Sequence, residues 1–111
     1  MEVFMEVIDK YVEYLKPIYG SKLQKVILFG SCARGDNTPS SDVDIMILVD
    51  IPREDISGYD EELCRMTYDF DEEHGTDISP ITQNNDFFHK WEKANPFYAN
   101  VKKEGVVLYG A

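Results

Sequence analysis

Three aspartates stand where chemistry is the simplest reason for them. Asp42 and Asp44 open the apolar stretch Asp42 to Val49, DVDIMILV, which reads as a buried strand. Residues two apart on a strand share a face. The two carboxylates therefore project side by side while Val43 and Ile45 turn the other way. Like charges in apolar surroundings repel and lose hydration, and a divalent metal is the simplest counterweight. Asp77 stands at the start of another short strand, Thr76 to Ile81. If that strand lies beside the first, three carboxylates converge. Mg²⁺ takes oxygen ligands and commonly combines carboxylates with substrate phosphates. A pair of such ions suits in-line phosphoryl displacement.

A phosphate cradle precedes the acids. The run Val26-Ile27-Leu28-Phe29 breaks at Gly30-Ser31, where backbone N–H groups and the Ser31 hydroxyl can hold phosphate oxygens. Arg34 adds a planar, permanently charged fork suited to phosphate, with Asp36 as its rival partner. Ser40 and Ser41 lie next to Asp42 and can orient the loop, with Ser41 expected among the nucleotide-binding residues, although turn formation explains them equally well. Three acids with a Gly-Ser-Arg cradle point to nucleotidyl transfer. Two other phosphate motifs fail on spacing. Gly30 to Gly35 reads G-x-x-x-x-G, but Asp36-Asn37 follows where a P-loop needs Lys and Ser/Thr, and Cys32 occupies the middle glycine position of a dinucleotide fingerprint.

The elements that must position these residues follow from periodicity. Residues 2 to about 19 place Val3, Phe4, Val7, Ile8, Tyr11, Val12 and Leu15 on one helical stripe, and Pro17 and Gly20 mark its end. Lys22 to Phe29 is the first strand, and Ser31 is expected to cap a short helix toward Arg34. Asp36 to Ser41 is loop, and Asp42 to Val49 is the second strand. A helix spans about Asp55 to Glu73, its apolar side formed by Ile56, Tyr59, Leu63, Met66 and Phe70. Its acids, Asp60, Glu61, Glu62, Asp69, Asp71, Glu72 and Glu73, read as a solvated face. Thr76 to Ile81 is the third strand, and Pro80 puts it at or near a sheet edge. Asn85 to Lys93 and a piece ending near Lys103 are helical, and Val106 to Tyr109 closes the chain as a strand. This order gives an α/β sandwich, a small mixed sheet flanked by helices. Crossover helices favour parallel pairing, while the strands on either side of the Gly-Ser loop are free to pair antiparallel.

Length and charge narrow the function classes. The 111 residues suit one domain with one core. The net charge of −10 argues against wrapping a nucleic-acid backbone, which calls for a basic patch. It leaves room for a small anion arriving with Mg²⁺, or for a partner with a basic surface. No apolar run reaches membrane-spanning length, and the acidic start MEVFMEVIDK is no signal peptide. Cys32 and Cys64 fit no metal or redox spacing and suit a reduced cytoplasmic protein. Cys32 reads as a small filler beside the site. His74 and His89 read as surface residues, and Phe87, Phe88, Trp91, Phe97 and Tyr98 mainly as core.

Gly30-Ser31, ten residues, then Asp42-Val43-Asp44-Ile45 resembles the signature of the DNA polymerase beta-like nucleotidyltransferase superfamily. The fuller string Gly30-Ser31-Cys32-Ala33-Arg34-Gly35, followed by Ser41-Asp42-Val43-Asp44, most resembles its minimal nucleotidyltransferase (MNT) branch. The resemblance covers nearly the whole chain, with Asp77 as third acid. It implies that Asp42 and Asp44 bind two Mg²⁺ ions, and that Asp77 holds the catalytic ion and draws the proton from the acceptor hydroxyl. It also implies that Ser31 and Arg34 bind the triphosphate of ATP, whose AMP is transferred with release of pyrophosphate. Many members of this branch are antitoxins of an all-helical HEPN ribonuclease, which they adenylylate or bind. The resemblance therefore implies a HEPN partner and a protein hydroxyl as acceptor. Two alternatives stay open, a binding-only antitoxin and the catalytic half of a split aminoglycoside-type transferase.

Overall fold

The structure is a computed structural model that describes residues 4–38 and 41–110. Val3 of the expected first stripe, and Ser40, lie outside the described residues. The chain runs α1 (Phe4–Tyr19), β1 (Leu23–Phe29), α2 (Ser31–Arg34), β2 (Val43–Val49), a 3-10 segment (Arg53–Tyr59), α3 (Asp60–His74), β3 (Ile78–Asn84), α4 (Asn85–Trp91), α5 (Pro96–Glu104) and β4 (Val106–Tyr109). Among the described residues the strands form one sheet in the order β3-β2-β1-β4. The β1–β2 and β1–β4 pairs are antiparallel and β2–β3 is parallel, so the mixed sheet expected from the sequence is present. None of the described helices is long and apolar enough to cross a membrane.

Alternation along the central strands divides the core between the two sheet faces. Val26 and Leu28 of β1, with Val43, Ile45, Ile47 and Val49 of β2, pack with Ile8, Tyr11, Leu15, Leu63 and Phe70 of α1 and α3. Ile27, Phe29, Met46 and Leu48 face the other way, against Phe88, Tyr98 and Val101 of α4 and α5. Complete burial of such side chains contributes roughly 1.5–3 kcal/mol each, so β1 and β2 are held from both sides. Tyr11 and Thr67 join α1 to α3 through a hydroxyl pair at 2.7 Å. Glu92 joins α4 to α5, accepting from Lys102 Nζ at 2.6 Å and pairing with His89 Nδ1 at 3.0 Å.

α1 ends at Tyr19, as expected from the sequence, although Pro17, read with Gly20 as marking that end, lies inside the helix. A proline removes one N–H from the helix ladder, but here Ile18 and Tyr19 beyond it are buried and anchor the last turn. Gly20, at φ +57°, ends the helix. The segment expected as one helix from Asp55 begins as a 3-10 turn and becomes α-helical only at Asp60. β3 starts at Ile78 and runs to Asn84, matching β2 residue for residue over seven pairs. It is an edge strand, where the missing N–H of Pro80 is tolerated.

Two side-chain assignments also change. His74 is half-buried, its ring 4.2 Å from that of Phe70, rather than on the open surface. Phe88 and Tyr98 are core, but Trp91 and Phe97 are each 43% exposed, because α4 and α5 are short and cover only part of their sheet face.

Candidate active site

The parallel β2–β3 ladder builds the acidic cluster. Val43 N–H donates to the Asp77 carbonyl at 2.8 Å, one step beyond the Val43–Ile78 pair. That bond sets Asp77 beside Asp42, each residue immediately preceding its strand. A proton shared with the Asp42 carboxyl, then the Asp42 charge, holds the Asp77 carboxyl above its ordinary value. Asp44 shares the sheet face of Met46 and Leu48, as alternation requires. It is half-buried, and burial first, then the Asp42 charge, raises its proton affinity against the opposing pull of Arg34. Asp42 is thus the neighbour that Asp44 and Asp77 share.

Among the described residues no three acidic, histidine or cysteine side chains are close enough to enclose an ion by themselves. The donor set is all carboxylate oxygen, the chemistry of a hard cation whose remaining ligands come from water or phosphate. Crowded acids whose protons are held too tightly are the condition that a cation relieves. The residues therefore fit Mg²⁺.

Gly30 closes the site from β1. Phe29, the last residue of β1, pairs with Asp44 across the sheet, and Gly30 turns the chain at φ +75°, ψ −158°. A Cβ built there would overlap Asp44 Oδ2, so only glycine lets α2 start against the carboxylate. Ser31 is the first residue of α2 rather than its cap. Gly30 takes the cap position with no side-chain bond, and its carbonyl accepts from the N–H groups of Ala33 and Arg34, both at 3.1 Å. The Ser31 carbonyl accepts from Gly35 and Asp36 at 3.0 and 3.1 Å. Cys32 directs Sγ at the Asp42 carbonyl, 3.6 Å away. Burial raises its thiol, which agrees with a filler rather than a nucleophile.

Arg34 holds two carboxylates, Nε to Asp36 Oδ2 at 3.2 Å and Nη1 to Glu104 Oε2 at 3.1 Å. All three side chains are substantially exposed, and such pairs contribute on the order of 0–1 kcal/mol. The guanidinium is therefore restrained lightly and free to exchange partners. Ser41 closes a turn, its Oγ accepting from Thr38 N–H at 2.8 Å while its own N–H donates to the Thr38 carbonyl at 3.0 Å. It lines a cleft of about 440 Å³ with Cys32, Thr76 and Asp77, whereas Gly30 and Arg34 line a different one. The structure thus brings Ser41 to Cys32 and Asp77, in a cleft that Gly30 and Arg34 do not line.

Two contributors escaped the sequence reading. Asp71, expected on a solvated face, accepts from Thr76 Oγ1 at 2.7 Å and from Ile78 N–H at 3.2 Å. It fixes both flanks of Asp77. The other is Glu104, seventy residues from its partner Arg34. A single clue to Asp71 exists, a carboxylate four residues before Gly75; nothing local announces Glu104.

Comparison with known proteins agrees with this geometry. The family model described as the nucleotidyltransferase domain matches residues 8–108. A provisionally named protein adenylyltransferase of Methanocaldococcus jannaschii is 39% identical over 92% of this chain and 94% of its own length. A provisionally named nucleotidyltransferase from Sulfolobus solfataricus, solved at 1.40 Å, superposes with a TM-score of 0.61 at 19% identity, covering 96% of this chain and 79% of that one. A structure of the tri-AMPylated Shewanella oneidensis HEPN toxin in complex with MNT antitoxin matches at TM-score 0.56 and 18% identity, over 97% of this chain and 74% of that one. At such identities the structural matches show the shared fold. The domain match and the methanogen relative go further: this chain belongs to the nucleotidyltransferase domain family.

Proposed function

We propose that this domain transfers AMP from ATP to a hydroxyl of a protein, and that the protein is a HEPN-type helical toxin which the transfer neutralises. The observation that carries the reading is the parallel β2–β3 register that sets Asp77 beside Asp42, with Asp44 against Gly30. Asp42, Asp44 and Asp77 would hold two Mg²⁺ ions, which supply charge neutralisation at the phosphate oxygens. The remaining roles belong to the chain itself. Asp77 accepts the proton of the attacking hydroxyl. The acceptor oxygen bonds to the α-phosphorus as the bond to the β-phosphate bridging oxygen breaks, and pyrophosphate leaves with that electron pair. Ser31 and Arg34 bind the departing phosphates, Arg34 exchanging Asp36 and Glu104 for phosphate oxygens. Ser41, which closes the turn at Thr38, is the further nucleotide contact of this reading.

A protein acceptor is supported by the M. jannaschii relative's name, and a HEPN partner by the HEPN–MNT complex among the fold matches. A cytoplasmic setting belongs to this reading, and the unpaired thiols Cys32 and Cys64 are compatible with it. Incubation with ATP labelled at the α-phosphate, Mg²⁺ and a HEPN protein encoded beside this chain tests the reading. Label should pass to the HEPN protein and vanish in Asp42→Asn/Asp44→Asn. Neutralisation without label would favour an antitoxin that acts by binding. Label on an aminoglycoside instead would favour a split small-molecule transferase.

A further inference from the structure

The Gly30–Arg34 cradle forms one wall of a cleft of about 260 Å³, lined opposite by Phe97, Asn100, Val101 and Glu104. These four follow the i, i+3, i+4, i+7 spacing of one helix face. Val101 is buried and roots α5 in the core. Phe97 stands edge-on to Phe29, ring centroids 5.6 Å apart, yet its own ring is 43% exposed. Asn100 is exposed, and its side-chain amide has no hydrogen-bond partner among the described residues.

We infer that this cleft receives the nucleobase of the transferred nucleotide, Phe97 stacking on its face and Asn100 reading its edge as adenine. The inference rests on the nucleotidyl-transfer reading and adds the residues that choose the base. Two clefts flank the acids. In-line displacement puts the acceptor opposite the departing pyrophosphate, so the cleft containing Asp77 is taken by the acceptor. The nucleoside then goes to the cleft that is continuous with Gly30 and Arg34, on the sheet face that Asp44 shares. Sites that enclose a whole drug-sized ligand run to roughly 300–1,000 Å³, so this smaller cleft suits a single flat ring system. An exposed aromatic ring beside a phosphate site offers a stacking platform for any base. The Asn100 amide presents one donor and one acceptor side by side, the complement of the adenine N7 and N6 amino groups. Guanine shows two acceptors, O6 and N7, on the same edge.

The test measures binding in the presence of Mg²⁺ of a non-hydrolysable ATP analogue, the matching GTP analogue and inorganic tripolyphosphate. The parent chain, Phe97→Ala, Phe97→Tyr, Asn100→Ala and Asn100→Leu are compared. Phe97→Ala should weaken the ATP analogue roughly 5- to 100-fold, the size of one base–aromatic stack, while tripolyphosphate binding stays unchanged and Phe97→Tyr retains affinity. Both Asn100 variants should shrink the preference for ATP over GTP by about 10-fold. Their exposed position protects the fold if Phe97→Ala disturbs it. Equal weakening of tripolyphosphate and ATP, or no change in either Asn100 variant, would overturn the assignment while leaving nucleotidyl transfer intact. A parent chain that binds neither the ATP analogue nor tripolyphosphate would sink nucleotidyl transfer itself, and this inference with it.

Discussion

Gly30 lies against Asp44 so closely that a Cβ on it would overlap Oδ2 and stand 3.3 Å from Cγ. The turn that launches the phosphate cradle and the carboxylate behind it are thus one device, and neither can move alone. Gly30→Ala must shift the carboxylate or rebuild the turn, and φ +75° adds backbone strain on the order of 1–3 kcal/mol. A lower melting temperature is expected, with activity down about 100-fold, the usual consequence of displacing a reacting group by an ångström. Retained activity would contradict the arrangement.

The crowded acids set the pH dependence. The Asp44 and Asp77 carboxyls are both pushed up in the fold, so the folded chain holds protons that the unfolded chain has already lost. Metal-free stability should therefore fall as pH rises from the ordinary carboxylate range, near pH 4, through the raised values. Asp44→Asn should raise the metal-free melting temperature at pH 7, flatten that pH slope and abolish transfer. Mg²⁺ should stabilise the parent and leave Asp42→Asn/Asp44→Asn unmoved. Thermal melts with and without Mg²⁺ across pH check all three.

Asp71 positions Asp77 without touching substrate. Asp71→Ala strands the Thr76 hydroxyl and the Ile78 N–H, at a cost of about 1–3 kcal/mol. The turnover rate should drop while KM for ATP holds, because the proton acceptor moves and the phosphate cradle does not. Asp71→Asn, which keeps an acceptor oxygen, should recover part of the rate. A purely structural role would lower stability without this split.

Glu104 competes with phosphate for Arg34. The pair is exposed, so Glu104→Gln should change stability by less than about 0.5 kcal/mol and lower KM for ATP a few-fold. Arg34→Lys, which loses the planar fork, should raise it. Steady-state kinetics on the two variants decide.

The site was legible in the sequence where its logic is local. Gly30-Ser31 and the Asp42/Asp44 alternation report their geometry through spacing alone, and Pro80 reports an edge strand. What stayed hidden depends on tertiary contacts. Pro17 continues a helix because Ile18 and Tyr19 find the core, which no propensity contains. β3 outruns its apolar letters because β2 supplies a parallel partner along its whole length. Ser31 gave up the cap because Gly30 alone fits against Asp44. Asp71 hid among six other acids on its helical segment, and Glu104 reaches Arg34 only after β1 and α5 are packed.

The central claim is tested most directly by the intact mass of the HEPN partner after incubation with this protein, ATP and Mg²⁺. The account predicts a gain of one or more AMP units, loss of toxin activity, and neither with Asp42→Asn/Asp44→Asn. An unchanged mass in a tight, neutralised complex would contradict protein adenylylation and leave an antitoxin that acts by binding.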